Sequence, residues 1–194
     1  MIYENIQEEL QILKQLPEPV VTWFRANKRE LPWRGHPDAY RVWVSEIMLQ
    51  QTRVEAVKSY YQRFLEALPD VKALAGAEED QLLKLWEGLG YYNRVRNMQK
   101  AATQIMVDYG GEFPQTYEEI LNLTGIGSYT AGAISSFAFG LAKPAVDGNV
   151  LRVISRITGS DRDIMKQSVR KRMETLLEQV IPADASSDFN QGLI

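Results

Sequence analysis

The chain has 194 residues, 45% of them hydrophobic and 24% charged, which suits a soluble globular protein with one sizeable core or two small ones. It contains no cysteine, so disulfides, thiolate metal sites and a cysteine nucleophile are excluded, and its longest apolar run is too short to cross a bilayer. The net charge of −3 argues weakly against a nucleic-acid partner, and the acidic start lacks the layout of a signal peptide, so we expect an intracellular protein.

Apolar residues recur at three- and four-residue spacing along the chain, while strand-like alternation is almost absent, so the sequence predicts an all-α fold. A first helix is expected around 10–16, ended by Pro17 and Pro19, and a second helix follows over 20–24. The further predicted helices cover 40–51, 54–68, 71–75, 79–85, 93–109, 117–123, 129–139, 150–158 and 166–180. Glycines and prolines occupy the joins, and no linker marks a domain boundary.

The stretch TGIGSYTAG, residues 124–132, joins two predicted helices through a turn that contains Gly125 and Gly127. Glycine permits a positive φ, which lets consecutive backbone N–H groups point in one direction. Beside a helix N-terminus such donors bind an anionic oxygen, for example a DNA phosphate, and a plain C-cap turn is the alternative interpretation. The carbonyls of residues 123–127 are also suited to a monovalent or calcium ion.

Basic residues concentrate in two segments although the chain as a whole is acidic. One segment runs over 152–172, and the other is YYNRVRNMQK at 91–100. The pattern indicates either a basic surface that faces nucleic acid or ordinary solvated helix faces.

Glu46 lies in WVSEIMLQQT, among residues that are apolar on nearly every side of the predicted helix. A buried carboxylate costs on the order of several kcal/mol unless it is paired or protonated. Burial raises a carboxyl pKa, as a general acid near neutral pH requires. The alternative is a core glutamate paired with Arg34 or Arg29.

Asp147 lies in VDGNV, just before the helix predicted from residue 150, and Asp is favoured there as a helix N-cap or Asx-turn. Taken with Glu46 it has a second interpretation, because glycosidic bonds are commonly broken by two carboxylates. One protonates the leaving group, and the other stabilises an oxocarbenium-like centre or directs water. The one histidine, His36, is expected at the surface without a catalytic role.

Five stretches together resemble the adenine DNA glycosylase (MutY) family of the helix-hairpin-helix glycosylases: PWR, YRVWVSEIMLQQTRVEAV, LWEGLGYYNRVRN, GGEFPQTYEEILNLTGIGSYTAGAISSFAFG and AVDGNVLRVISR. The resemblance spans nearly the whole chain. It implies an enzyme that hydrolyses the N-glycosidic bond of adenine mispaired with 8-oxoguanine or guanine in double-stranded DNA. It also implies two helical subdomains with the active site in the cleft between them. One covers 30–140, with the hairpin element at about 116–139, and the other combines 1–29 with 141–194.

The resemblance also assigns roles to individual residues. Glu46 would protonate adenine N7, and Asp147, with Asn149 beside it, would stabilise the sugar cation. Tyr129 stands where bifunctional relatives similar to endonuclease III carry a Schiff-base lysine, and tyrosine has no amine for that chemistry. The adenine pocket would consist of Arg29, Leu31, Trp33 and Gln191, with core packing as the other interpretation of Leu31 and Trp33.

The resemblance further implies a set of DNA contacts: Gln51, Thr52, Leu89, Tyr91, Gly125 and Gly127. Gln51 and Tyr91 would push into the base stack, since a base that leaves the duplex has to be replaced by a side chain. The alternatives are a solvated helix end for Gln51 and a half-buried aromatic for Tyr91.

The chain departs from the family pattern at two places. Thr124 stands where the family usually has proline, which predicts a less rigid hairpin. After DFNQGLI the family continues into a four-cysteine segment that binds a [4Fe–4S] cluster and then into a domain that reads 8-oxoguanine. We expect neither in this chain, and therefore weaker DNA affinity and poor lesion discrimination.

The remaining expectations are a monomer in the bacterial cytoplasm, associated with the nucleoid, with no metal bound by its own side chains and no membrane partner. Two alternative functions stay open at this point. One is an endonuclease III-like glycosylase with lyase activity. The other is a helix-hairpin-helix DNA-binding fragment without turnover.

Overall fold

The computed structural model describes residues 2–35 and 38–194, with side chains from Ile6 onward. Within these ranges the chain forms helices and no strand, so the predicted all-α fold is confirmed. The helices are α1 (Ile2–Leu13), α2 (Pro17–Asn27), α3 (Ala39–Leu49), α4 (Val54–Ala67), α5 (Val71–Ala75), α6 (Glu79–Trp86), α7 (Asn93–Asp108), α8 (Tyr117–Leu121), α9 (Ser128–Phe137), α10 (Gly148–Thr158), α11 (Gln167–Glu178) and α12 (Ser186–Leu193), with a 3-10 turn at Pro32–Arg34. The prediction for His36 falls outside the described residues. Among the described helices, none combines the length and apolar character that crossing a membrane requires.

Three elements differ from the prediction. Helix α1 covers Ile2–Leu13, so it begins and ends earlier than the expected helix around 10–16. Pro17 and Pro19 lie in the first turn of α2 instead of at the end of the first helix. Backbone N–H groups in a first turn make no hydrogen bond within the helix, so proline is tolerated there. The apolar spacing does not predict α12, whose sequence SSDFNQGL is polar and short. Tertiary packing explains this helix, because Phe189 is fully buried and Gly192 lies against α2. A Cβ on Gly192 would come within 2.8 Å of a methyl carbon of Val20.

The larger hydrophobic cluster consists of the buried apolar residues between Leu31 and Ile134 and has α3 at its centre. Residues 42–48 of α3 are all buried, so this part of the helix lies in the interior of the protein. The Trp43 ring packs edge-on against Phe113 with ring centroids 5.6 Å apart. The carboxyl of Glu46 is therefore carried into the core by its own helix.

The smaller hydrophobic cluster consists of Leu13, Val21 and the buried apolar residues between Val146 and Leu193. It joins α1 and α2 to the C-terminal helices, and Glu9 of α1 binds Arg172 of α11 with an N–O distance of 2.7 Å. Each cluster falls within one of the two predicted subdomains, and the division into subdomains stays a prediction that this packing supports.

The segment before α10 crosses α9 at very short range. A Cβ on Gly132 would collide with the carbonyl oxygen of Pro144, so only glycine allows this approach. Asn190 of α12 fixes the same segment, since its side chain accepts from Ala145 N and donates to Lys143 O. The crossing places Asp147 beside the helices that carry Glu46 and Tyr129.

Candidate functional site

A cavity of about 680 Å³ opens between the two hydrophobic clusters. Its lining includes all the residues predicted for catalysis and for the adenine pocket: Glu46, Asp147, Tyr129, Asn149, Arg29, Leu31, Trp33 and Gln191. These residues come from five places in the chain, between the end of α2 and α12. The structure therefore brings together in one cavity residues that lie up to 162 positions apart in the sequence, from Arg29 to Gln191. Their individual roles stay predictions.

Glu46 is 7% exposed and accepts a hydrogen bond from the Tyr129 hydroxyl, with 2.8 Å between Tyr129 Oη and Glu46 Oε2. The pKa of Glu46 is raised from 4.5 to about 7, first by burial and to a smaller extent by the nearby charge of Asp147. The Tyr129 hydrogen bond and the charge of Arg34 act in the opposite direction and are outweighed. Near neutral pH this carboxyl is thus divided between its acid and its ionised form.

Arg34, one of the two arginines predicted as possible partners of Glu46, binds elsewhere. The Arg34 guanidinium donates to Gln191 Oε1 at 2.8 Å and to the backbone oxygen of Arg29 at 2.9 Å, and it stacks over the Phe24 ring. Arg34 also lines the cavity, whereas the sequence indicates it only as a possible ion-pair partner. Gln191 in turn donates to Ser187 Oγ, so the 3-10 turn and α12 are joined at the polar side of the cavity.

Tyr129 is a buried phenol whose pKa is raised, first by burial and then by the charge of Glu46. It therefore stays protonated and acts as a hydrogen-bond donor throughout the physiological range. Its position at the start of α9 follows from the hairpin that precedes it. The contact with Glu46 joins residues 83 positions apart, which no local sequence pattern could reveal.

Asp147 is the N-cap of α10, as one interpretation of the sequence proposed. Its Oδ1 accepts from Val150 N at 2.8 Å, and its Oδ2 accepts from Asn149 Nδ2 at 3.2 Å. The same carboxyl is half-buried and lines the cavity. Capping and a place in the cavity are therefore compatible, because one oxygen caps the helix while the other is held by the neighbouring amide.

Leu31 and Trp33 are 9% and 7% exposed and belong to the larger hydrophobic cluster. Both also line the cavity, so the two interpretations given for them hold together: they pack in the core and form an apolar wall. The Trp33 ring is supported edge-on by Tyr61, with ring centroids 5.5 Å apart. A flat apolar molecule in the cavity would meet a rigid surface here.

The hairpin at 124–127 uses its two glycines differently. Gly125 has φ +78° and lies against Asn97, where a Cβ would come within 2.7 Å of the Asn97 Cβ. Gly127 is the N-cap of α9 with an extended backbone, φ −100° and ψ 177°, so positive φ is needed at Gly125 only. At Thr124, where the absence of proline predicts a less rigid hairpin, the structure shows a side-chain contact that the sequence does not indicate. Gln104 Oε1 accepts from both Thr124 N and Thr124 Oγ1.

Gln51 and Tyr91 adopt left-handed backbone conformations, with φ +59° and +49°. Such a conformation costs a non-glycine residue on the order of 1–3 kcal/mol and persists only where the surroundings impose it. Both side chains are exposed, and Tyr91 has 66% of its surface in solvent. Of the other predicted DNA contacts, Thr52 lines the cavity, while Leu89 is 7% exposed and packs in the larger cluster.

The residues present do not fit an iron–sulfur cluster, since such a cluster needs thiolate ligands and the chain has no cysteine. Within the part of the chain that the structure describes, no group of three or more histidine, aspartate or glutamate side chains is placed to hold a metal ion.

Residues 44–179 match the family model described as HhH-GPD superfamily base excision DNA repair protein. The adenine DNA glycosylase of Buchnera aphidicola subsp. Acyrthosiphon pisum is 39% identical over 176 residues, covering 90% of this chain and 50% of the relative. The adenine DNA glycosylase of Homo sapiens is 40% identical over 182 residues, covering 89% of this chain and 33% of the relative. The chain thus spans half or less of the length of these relatives.

Solved structures with the same fold include a thermostable thymine-DNA glycosylase, with a TM-score of 0.82 and 26% identity over 96% of this chain and 85% of that chain. A trapped endonuclease III–DNA covalent intermediate has a TM-score of 0.76 and 23% identity, covering 95% of this chain and 84% of that chain. Both likenesses extend over nearly all of the described helices.

Proposed function

The chain belongs to the HhH-GPD superfamily of base excision DNA repair proteins, and we propose that it is the catalytic part of an adenine DNA glycosylase. It would hydrolyse the N-glycosidic bond of adenine mispaired with 8-oxoguanine or guanine in double-stranded DNA. The observation that carries the proposal is the buried Glu46 carboxyl, whose pKa lies at about 7 in a cavity shared with Asp147. The choice of adenine is supported by the names of the relatives and by the motif resemblance.

Glu46 in its protonated form would act as the general acid. It gives its proton to the adenine ring, the bond between the sugar and the base breaks, and the electron pair of that bond leaves with the base. Tyr129 fixes the orientation of the carboxyl through its hydroxyl and takes up part of the charge that Glu46 gains on losing the proton. A general acid of this kind contributes typically 10²- to 10⁴-fold in rate.

Asp147 would act on the sugar that remains. Loss of the base leaves an oxocarbenium-like cation, which a carboxylate stabilises before water adds to the same carbon and releases a proton. The capping hydrogen bond and Asn149 hold the Asp147 carboxyl in one orientation, so little reorganisation is needed when the cation forms.

The cavity also fits a base that has left the duplex. Leu31 and Trp33 supply an apolar wall for the flat ring, and the Arg34–Gln191 pair supplies polar groups in the same cavity. Flipped bases are commonly held by stacking together with hydrogen bonds to their edges. Two further proposals rest on the sequence. One is a monomer acting in the bacterial cytoplasm at the nucleoid, and the other is a monovalent or calcium ion held by the carbonyls of 123–127.

The test is single-turnover release of adenine from a duplex with 8-oxoguanine opposite adenine. Glu46→Gln keeps the size of the side chain and removes the transferable proton, so we expect the rate to fall by about 10²-fold or more. Glu66→Gln, a change to an exposed glutamate on α4, is the matched control and should leave the rate unchanged. Equal rates for wild type and Glu46→Gln would show that Glu46 is not the acid.

The two alternative functions are separated by the same duplex. A lyase would form a covalent imine that borohydride traps, and Tyr129 offers no amine for it. Lys28 is the lysine among the residues that line the cavity, so a trapped adduct that disappears in Lys28→Ala would favour the lyase. Salt-dependent binding of the duplex without release of any base would favour the DNA-binding fragment.

A further inference from the structure

Arg94 makes an unusual set of contacts for a residue of a basic segment. It lies in the first turn of α7, half-buried, and its guanidinium points inward to backbone carbonyls rather than outward to solvent. Nη1 donates to Ile47 O at 2.8 Å and to Gln50 O at 2.6 Å, with Met48 O at 3.3 Å. Nη2 donates to Leu89 O at 3.0 Å and to Gly90 O at 3.3 Å.

These carbonyls belong to two separate segments. The first set is at the end of α3, where the last carbonyls of a helix have no helical partner and attract a positive charge. The second set is in the loop between α6 and α7. A planar guanidinium can donate to both sets at once through its two terminal nitrogens, whereas a lysine ammonium is a single point with three donors.

The two non-glycine residues with positive φ in the described part of the chain follow directly after these carbonyls. Gln51 comes after Gln50, and Tyr91 comes after Gly90. The Arg94 guanidinium also lies 5.6 Å from the centroid of the Tyr91 ring and 5.3 Å from that of Trp86. One side chain therefore holds the backbone on the N-terminal side of both strained, exposed residues.

We propose that Arg94 is a positioning residue that joins segments 50–51 and 89–91 into one rigid unit, so that Gln51 and Tyr91 meet the DNA together and already in place. The DNA part of this inference rests on the proposed function. Two residues that part a base stack have to enter it at a fixed separation. Without Arg94 each segment would relax from the left-handed conformation, and ordering both segments would then be part of the cost of binding.

The contacts also distinguish this role from phosphate binding. A residue that contacts a phosphate lowers the salt dependence of DNA binding when it is removed, by about one unit of slope. The two terminal nitrogens of Arg94 are directed at protein carbonyls, so its removal should weaken the opening of the duplex and leave that slope unchanged.

The experiment compares wild type with Arg94→Gln, which loses the charge and the fork, and with Arg94→Lys, which keeps only the charge. Arg63→Gln is the matched control, because Arg63 is an exposed arginine on α4 that stacks on Tyr60. Backbone hydrogen exchange in the free protein should accelerate about tenfold or more in 50–52 and 89–92 together, in both Arg94 variants. Arg63→Gln should match wild type.

The second measurement uses a duplex that carries 2-aminopurine next to the target adenine, with Glu46→Gln as the common background. Unstacking of the duplex increases the 2-aminopurine fluorescence. This increase should be about tenfold or more smaller in both Arg94 variants than in the Arg94 protein. When Glu46 is intact, the rate of adenine release should also be lower in both Arg94 variants. The pH at which this rate declines should stay the same.

Each outcome decides one question. Exchange that accelerates in only one segment, or in neither, would overturn the joining role of Arg94, and so would Arg94→Lys behaving as wild type. Unstacking by Arg94→Gln equal to that of wild type would overturn this role alone. A wild-type chain that neither unstacks the duplex nor releases adenine would overturn the proposed function and the DNA part of this inference together.

Discussion

Glu46 should lower the stability of the folded chain at neutral pH, and Glu46→Gln should remove that cost. The pKa of the buried carboxyl is about 7 against 4.5 for an exposed one. A shift of one unit corresponds to about 1.36 kcal/mol, so the ionised carboxyl costs the fold about 3 kcal/mol. A glutamine carries no charge, and its carbonyl oxygen can still accept the hydrogen bond from Tyr129.

Whether stability rises or falls with pH follows from the direction of the Glu46 pKa shift. The folded state keeps the Glu46 proton to higher pH than the unfolded state, so stability is highest below about 4.5 and falls until about pH 7. Above that pH both states have lost the proton and the cost is constant. Relative to Glu46→Gln, wild type should therefore lose about 2 to 3 kcal/mol of unfolding free energy between pH 5 and pH 8.5.

Urea unfolding of both proteins at several pH values measures this difference directly, since the slope with denaturant should be the same for the pair. Glu66→Gln, an exposed change, provides the baseline for the pH dependence that the rest of the chain contributes. A free-energy difference between wild type and Glu46→Gln that is the same at pH 5 and pH 8.5 would refute the link between burial and the Glu46 pKa.

Two further predictions concern the neighbours of this carboxyl and the crossing behind it. The rate of adenine release should decline above about pH 7. The Asp147 charge raises the Glu46 pKa, so Asp147→Asn should move this decline to lower pH. The Tyr129 hydroxyl lowers the Glu46 pKa, so Tyr129→Phe should move the decline to higher pH. Rate–pH profiles of the two variants that move in the same direction would contradict the assignment. Gly132→Ala should cost about 3 kcal/mol in urea unfolding, because the new methyl meets the Pro144 carbonyl. Gly35→Ala, where the space is open, should be close to neutral.

The helical fold could be predicted because three- and four-residue apolar spacing is a local property of each helix. This spacing does not predict α12, because its sequence is polar. It forms a helix only because Phe189 and Gly192 pack against other helices. It also placed Pro17 in a break between helices rather than at the start of α2, since proline is compatible with both positions.

The candidate site could be predicted in its chemistry but not in its contacts. Residue type and motif identified Glu46 and Asp147, but spacing left open whether Glu46 is paired with an arginine. The structure pairs it with Tyr129 instead, and Arg34 binds Gln191. The sequence groups Arg94 with the basic residues of 91–100. Only the three-dimensional arrangement shows that its two terminal nitrogens donate to protein carbonyls.

The two carboxyls of the cavity are placed in contrasting surroundings, and this contrast is what the proposed reaction requires. Asp147 accepts from a backbone N–H at the start of α10, where a negative charge is favourable. Glu46 is buried among apolar neighbours, and this burial raises its pKa to about 7 although its one donor, the Tyr129 phenol, acts in the opposite direction. A group that donates a proton and a group that stabilises a cation must differ in this way, since environments that separate two carboxyls also assign their roles. The same burial that costs the fold stability therefore provides the proton at neutral pH.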